Sequence, residues 1–216
     1  MKEFVFCCMP NQHAPLLPDN YYHLFNRAIG NEQLFRSDEN YRYFLRKIKA
    51  HILPVAELWT YSLMPNHFHL VVKIREDNHI EDLYKTKKLK EYNPSIQLIS
   101  DFIMEQFSNC FNAYAKAFNK MYDRQGALFL DYLKRSVADD DNDITSFIFY
   151  THKNAVHHGL AKKVGEWKFD GYQAIVSQGS TDLARQDVTE WFGSTERFIQ
   201  FHNQPMDLKE RDSYFE

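Results

Sequence analysis

Residues 55–74 read Val55-Ala56-Glu57-Leu58-Trp59-Thr60-Tyr61-Ser62-Leu63-Met64-Pro65-Asn66-His67-Phe68-His69-Leu70-Val71-Val72-Lys73-Ile74. Two runs rich in apolar, β-branched and aromatic residues flank Pro65-Asn66, a pair suited to a tight turn. The stretch therefore predicts a β-hairpin with strands at 55–63 and 67–74. Side chains at i and i+2 of a strand share a face. His67 and His69 thus project together, and Phe68 points the other way, into a core. Two imidazoles side by side on a rigid strand supply two-thirds of a metal site. On their own they fit a strand with two solvated or hydrogen-bonded histidines better than a metal centre.

The flanking sequence sets this hairpin in a larger sheet. Residues 21–27 are aromatic, lie between Asn20 and Gly30, and read as a strand. Ser37-Asp38-Glu39-Asn40 offers helix caps, after which Tyr41, Phe44, Leu45 and Ile48 recur at helical spacing until Pro54. Residues 75–94 are charged and polar and read as an exposed connector. Pro94-Ser95 opens a long helix with an apolar stripe of Ile99, Phe102, Ile103, Phe107, Cys110, Phe111, Tyr114 and Phe118. Residues 126–137 read as another strand, and 142–158 as a helix ended by Gly159. The order strand, helix, strand, strand, helix, strand, helix predicts an α+β chain. Its core is a ferredoxin-like split βαβ, an antiparallel sheet with helices on one face, plus one further helix around residue 150. Residues 1–19, with Pro10, Pro15 and Pro18, read as an N-terminal arm. Beyond residue 167 the chain reads as irregular, with a short helix near 187–192 stopped by Gly193.

Composition narrows the class. With 44% hydrophobic and 25% charged residues, the 216-residue chain suits a globular protein with one sizeable core. A formal net charge of −3 argues against binding nucleic acid by bulk charge. It leaves room for local basic patches: Lys85, Lys87, Lys88 and Lys90 form one, and Arg124, Lys134 and Arg135 another. The three cysteines, Cys7, Cys8 and Cys110, have no C-x-x-C spacing, which argues against a disulfide framework and a structural zinc site. A reducing cytoplasm is the expected compartment. The N-terminus has no signal-peptide pattern, and no apolar stretch approaches the ~20 residues that span a membrane.

The helix around residue 150 supplies a second half to the site. Ile144, Phe147, Ile148, Thr151 and Ala155 form its buried stripe, and Tyr150 and Asn154, four apart, stand one turn above another at the stripe's edge. Asn154 can offer a hard oxygen ligand. With His67 and His69 it makes a three-ligand set with open positions, suited to Mg²⁺ or Mn²⁺. Read from this helix alone, an ordinary amphipathic edge accounts for Tyr150 and Asn154 more simply.

At this point the residues carry a family resemblance. The run Met64-Pro65-Asn66-His67-Phe68-His69-Leu70-Val71-Val72 resembles the HUH signature of single-tyrosine transposases, the insertion-sequence and REP-associated tyrosine transposases. Tyr150-x-x-x-Asn154-Ala155-Val156-His157-His158-Gly159 resembles that family's nucleophile helix, usually Tyr-x-x-x-Asn-Pro-Val followed by a basic residue and Gly. Tyr22-His23-Leu24-Phe25-Asn26-Arg27 resembles its first strand. Gly126-Ala127-Leu128-Phe129 with Tyr132-Leu133-Lys134-Arg135-Ser136 resembles its Gly-x-Leu-Phe and aromatic-x-Lys-Ser segment. Trp167-Lys168-Phe169-Asp170-Gly171-Tyr172 resembles its closing Trp-x-Phe-Ser-Ser-Tyr. The matches come in family order over residues 20–175. Two departures stand out. Ala155 replaces the usual Pro at a position that is not a ligand, and residues 176–216 extend past the shared core with no role assigned.

The resemblance implies a DNA transposase, a single-stranded DNA endonuclease and strand transferase that cuts next to hairpin (palindromic) DNA. Tyr150 would be the nucleophile and form a 5′-phosphotyrosine, and His67, His69 and Asn154 would hold Mg²⁺ or Mn²⁺. Arg27, Arg124, Lys134 and Arg135 are the expected DNA contacts. The partner would be single-stranded DNA with hairpin or palindromic ends. No membrane is involved, a homodimer is an open option, and the compartment is the cytoplasm, at the bacterial nucleoid when DNA is bound. The competing reading is a host-adapted, hairpin-specific DNA-binding protein that has lost transposition. A replication initiator or relaxase would carry a third metal-binding His and often paired tyrosines. A small-molecule hydrolase would need a carboxylate base, and neither motif has one.

Overall fold

The structure is a computed structural model that describes residues 14–88 and 95–205. Cys7, Cys8, Lys90, Pro94, the start of the N-terminal arm and residues 206–216 lie outside the described residues. The elements run β1 (Tyr21–Arg27), α1 (Asp38–His51), β2 (Ala56–Met64), β3 (His67–Ile74), α2 (Asp77–Lys88), α3 (Ile96–Met121), β4 (Lys134–Val137), α4 (Asp141–His157), α5 (Tyr172–Val176), α6 (Arg185–Trp191) and α7 (Thr195–His202).

Among the described residues the strands form one four-stranded sheet in the order β2-β3-β1-β4, with every pair antiparallel. This is the ferredoxin-like arrangement expected from the element order. The period-2 alternation of β3 sorts its side chains. Phe68, Leu70 and Val72 face α1 and α3, where the Phe68 ring lies 5.2 Å from Phe44 and 5.4 Å from Phe111. His67, His69 and Val71 face the opposite side, which α4 covers. Both sheet faces are buried, so β1 and β3 read as nearly unbroken runs of buried residues.

The long helix α3 has the predicted stripe: Ile99, Phe102, Ile103, Phe107, Cys110, Phe111, Tyr114 and Phe118 are all buried. Ser95 caps it, accepting from Leu98 N at 3.2 Å. The Tyr114 hydroxyl donates to Leu34 O and ties α3 to the loop after β1. Asp140 caps α4 by accepting from the Asn142 and Asp143 amides. Gly159, at φ +68°, ends α4 in the left-handed region that glycine enters without strain.

Four expectations need correction. Beyond residue 167, where the sequence reads as irregular with one short helix, the chain forms α5, α6 and α7. The connector at 75–94 contains α2, because Ile80 and Tyr84, four apart, are buried against the core while the lysines face outward. The strand expected at 126–137 pairs as β4 only over Lys134–Val137. Before that, Phe129 makes an isolated bridge to Ala28. Finally, Tyr150 and Asn154 do not lie at the edge of a stripe: they are 2% and 1% exposed. The α4 helix is enclosed between the sheet and the C-terminal segment. There Phe149 meets Phe201 at 5.2 Å and His152 bonds His202.

A short stretch around Asp170 extends the β2 edge: Leu63 N donates to Phe169 O, and Gly171 N to Tyr61 O. Gly171 packs so closely here that any Cβ would run into Thr60 Oγ1. Ala184 N then donates to Leu58 O, which fixes the start of α6 against the same strand.

Candidate metal and nucleophile site

The pleat of β3 and the turn of α4 bring four predicted residues together. His67 and His69 project from β3 toward α4, and on α4 the i, i+4 pair Tyr150 and Asn154 faces them. His67 Nε2 lies 3.5 Å from Asn154 Oδ1, and Asn154 Nδ2 lies 3.0 Å from His69 Nε2. The Tyr150 ring stands edge-on to His69 with centroids 5.6 Å apart, and edge-on to His23 at 5.9 Å.

Burial sets the protonation of this cluster. Desolvation, helped by neighbouring His158 and Arg27 and partly offset by the Asn154 oxygen, pushes the His67 imidazole down to about 4. His69 is held well below the ordinary histidine value, by burial first and then by His23, His67 and His158. Both rings are therefore neutral near pH 7, the form that ligates metals.

The donor set fits a hard divalent cation. The neutral His67 ring has one N–H for two oxygens, Asn66 Oδ1 at 2.7 Å from Nδ1 and Asn154 Oδ1 at 3.5 Å from Nε2; with the proton in the closer contact, the Nε2 lone pair faces Asn154 Oδ1. Two acceptors face each other with no proton between them, and a cation would relieve that opposition. Two imidazole nitrogens and one amide oxygen match the mixed N/O coordination of Mg²⁺ or Mn²⁺. Among the described residues no group of three or more His, Cys, Asp or Glu side chains could hold a metal, so the set depends on the Asn154 amide.

A cleft of about 230 Å³ opens beside the histidines. Its lining includes Arg27, Asn66, His67, His69, Lys134 and His158. Two of the expected DNA contacts, Arg27 and Lys134, reach it. The other two do not line it. Arg124 pairs with Glu32 at 2.9 Å and donates to the Gly126 and Ala127 carbonyls, bracing the loop before β4. Arg135 alternates with Lys134 along β4, so it points to the α3 side of the sheet, where its Nη1 meets Met104 Sδ and burial lowers its pKa.

His152 faces away from Tyr150 and bonds Thr60 and His202. His158 does come to the cleft, its ring 4.8 Å from that of His67. From the sequence Asn66 reads only as part of the tight turn, and its place immediately before His67 is the signal for its contact with that ring. The sequence leaves His23 equally open to lining a DNA groove and to a structural place in its strand, and the structure buries it fully against His69.

These observations define a class: a ferredoxin-like α+β fold whose sheet presents a His-x-His pair to a Tyr-x-x-x-Asn helix. One solved structure shares that fold. The chain is similar to a REP-associated tyrosine transposase solved bound to a REP hairpin, with a TM-score of 0.50 and 14% identity, over 88% of this chain and 94% of that one. At this identity the likeness is one of fold, and it agrees with the resemblance that the motifs carry. No protein-family model matches the chain, and no curated protein matches it significantly.

Proposed function

We propose that this protein cuts and rejoins single-stranded DNA beside hairpins, as a single-tyrosine HUH transposase does. The observation that carries the reading is convergence. His67 and His69 on one strand meet Asn154 and Tyr150 on a helix more than eighty residues away in sequence, beside a cleft with cationic walls.

In this reading the cleft admits the backbone of the DNA, and Arg27 and Lys134 contact its phosphates. His67, His69 and Asn154 hold Mg²⁺ or Mn²⁺, which when bound neutralises charge on the scissile phosphate. The Tyr150 phenol loses its proton and its oxygen bonds to the phosphorus. The bond to the 3′ oxygen breaks, and that oxygen leaves as a 3′-OH after taking up a proton. Attack by a second 3′-OH reverses the step, so the phosphotyrosine conserves the bond energy. Because Tyr150 is 2% exposed, the reading requires its hydroxyl to become accessible when DNA enters.

The test uses single-stranded hairpin oligonucleotides from the gene's own flanks with Mg²⁺ or Mn²⁺. A denaturing gel should show a covalent protein–DNA adduct that Tyr150→Phe and His69→Ala both lose. Tight hairpin binding with no adduct would instead assign the DNA-binding role without transposition.

A further inference from the structure

We infer that His23 is a positioning residue that holds the His69 ring with its proton on Nδ1, leaving the Nε2 lone pair directed at Asn154. The inference deepens the reading of this site as a metal centre and rests on that reading for its functional consequence.

His23 sits on β1 and is completely buried. Its ring is nearly parallel to that of His69, with planes 12° apart, and its Nε2 lies 2.9 Å from His69 Nδ1. A hydrogen bond between two neutral imidazoles needs a single proton, carried by one of the two nitrogens. The far side of His69 decides which. Asn154 Nδ2 donates to His69 Nε2 at 3.0 Å, so that nitrogen carries no proton. The His69 proton therefore sits on Nδ1 and is donated to His23 Nε2. The other tautomer would set the His69 Nε2–H against the Asn154 N–H.

A free histidine favours the proton on Nε2, the opposite of what a ligand acting through Nε2 needs. Something has to hold the less favoured tautomer, and ligating histidines generally do this by donating their other N–H to an outer group. Both candidate ligands have such a group. Asn66 Oδ1 accepts from His67 Nδ1 at 2.7 Å, and His23 plays the same part for His69 from a different strand. The Asn66 contact comes from the neighbouring residue in a turn, whereas the His23 contact is built across the sheet between residues 46 apart.

The experiment uses the full ¹⁵N-labelled chain. Long-range proton–nitrogen spectra without added metal report the His69 tautomer, and Mn²⁺ titration reports affinity. In the unmodified protein His69 should carry its proton on Nδ1. In His23→Phe, which keeps a ring but removes the acceptor, that preference should vanish and Mn²⁺ affinity should fall about 10–100-fold. His23→Gln, which restores an acceptor, should recover much of both. A His69 proton on Nε2 in the unmodified protein would overturn the inference, as would a His23→Phe variant that leaves tautomer and affinity unchanged. Should His23→Phe fail to fold, the unmodified spectrum and the Gln variant still decide. An unmodified chain that binds no Mn²⁺ would sink the metal reading alone, because the tautomer is read without metal.

Discussion

Lys134 and Arg27 are the cations that line the cleft, and each should act through a phosphate. Replacing either by Ala should weaken hairpin binding and reduce the slope of log affinity against log salt by about 0.7–1. Arg135→Leu should leave that slope unchanged, because its guanidinium is on the other side of the sheet. Fluorescence anisotropy across a salt series separates these outcomes. A second residue-scale prediction concerns Asp170, which stands where the resembling family usually has Ser. It is 4% exposed; Oδ1 accepts from Tyr172 N, while Oδ2 has no hydrogen-bond partner. Burial pushes its carboxyl up from 3.8 to about 7. Between those values the folded chain keeps a proton that the unfolded chain has lost, so stability falls as pH rises toward 7 and then levels. The fall is on the order of 4 kcal/mol at ~1.4 kcal/mol per pKa unit. Asp170→Asn keeps the cap and removes the titration, so it should be the more stable form in urea melts at pH 8 and lose that advantage near pH 4.

At the scale of elements, a chain of hydrogen bonds ties α4 to β2 on one side and to α7 on the other. Thr60 Oγ1 meets His152 Nε2 at 2.5 Å, His152 Nδ1 meets His202 Nε2 at 2.9 Å, and His202 Nδ1–H donates to Phe198 O at 2.8 Å. His202→Phe leaves the buried His152 Nδ1–H without its acceptor and should cost about 1–3 kcal/mol. A thermal melt should show this as a fall of several degrees, and an unchanged melting temperature would mean that α7 does not brace α4. The same elements show how far local pattern could be read. The hairpin, α1, α3 and the ends of α4 were legible, because apolar period, Pro and Gly mark them directly. The α2 helix was not, since only Ile80 and Tyr84 carry its buried face among charged neighbours. The burial of Tyr150 and Asn154 was also hidden, because it depends on the sheet that covers their face of α4, where Asn154 meets His69, 85 residues away in the chain. The pairing of His67 and His69 with Asn154 could be proposed from spacing, whereas the His23 contact arises only when β1 and β3 pair.

Over the whole molecule, burial on both sheet faces leaves many imidazoles neutral. Desolvation lowers His23 to about 3 and His202 to about 4, and holds His69 and His152 well below the ordinary 6.5. Each folded-state value is depressed, so the stability these groups contribute is complete above pH 6.5 and is lost as pH falls toward the folded values. Asp170 works in the opposite direction but is a single group. Urea midpoints should therefore drop steeply between pH 6.5 and pH 4, and a flat profile across that range would contradict the packing described here. No helix among the described residues is long and apolar enough to cross a membrane. The central claim is that this sheet and helix place Tyr150 to attack a phosphate beside a metal held by His67, His69 and Asn154. Peptide mapping by mass spectrometry, after incubation with a single-stranded hairpin oligonucleotide and Mn²⁺, tests it most directly. The account predicts a 5′-phosphate-linked nucleotide on the peptide that contains Tyr150, with the other DNA fragment ending in a free 3′-OH. A link at any other side chain, or cleavage that leaves no linked peptide, would contradict it.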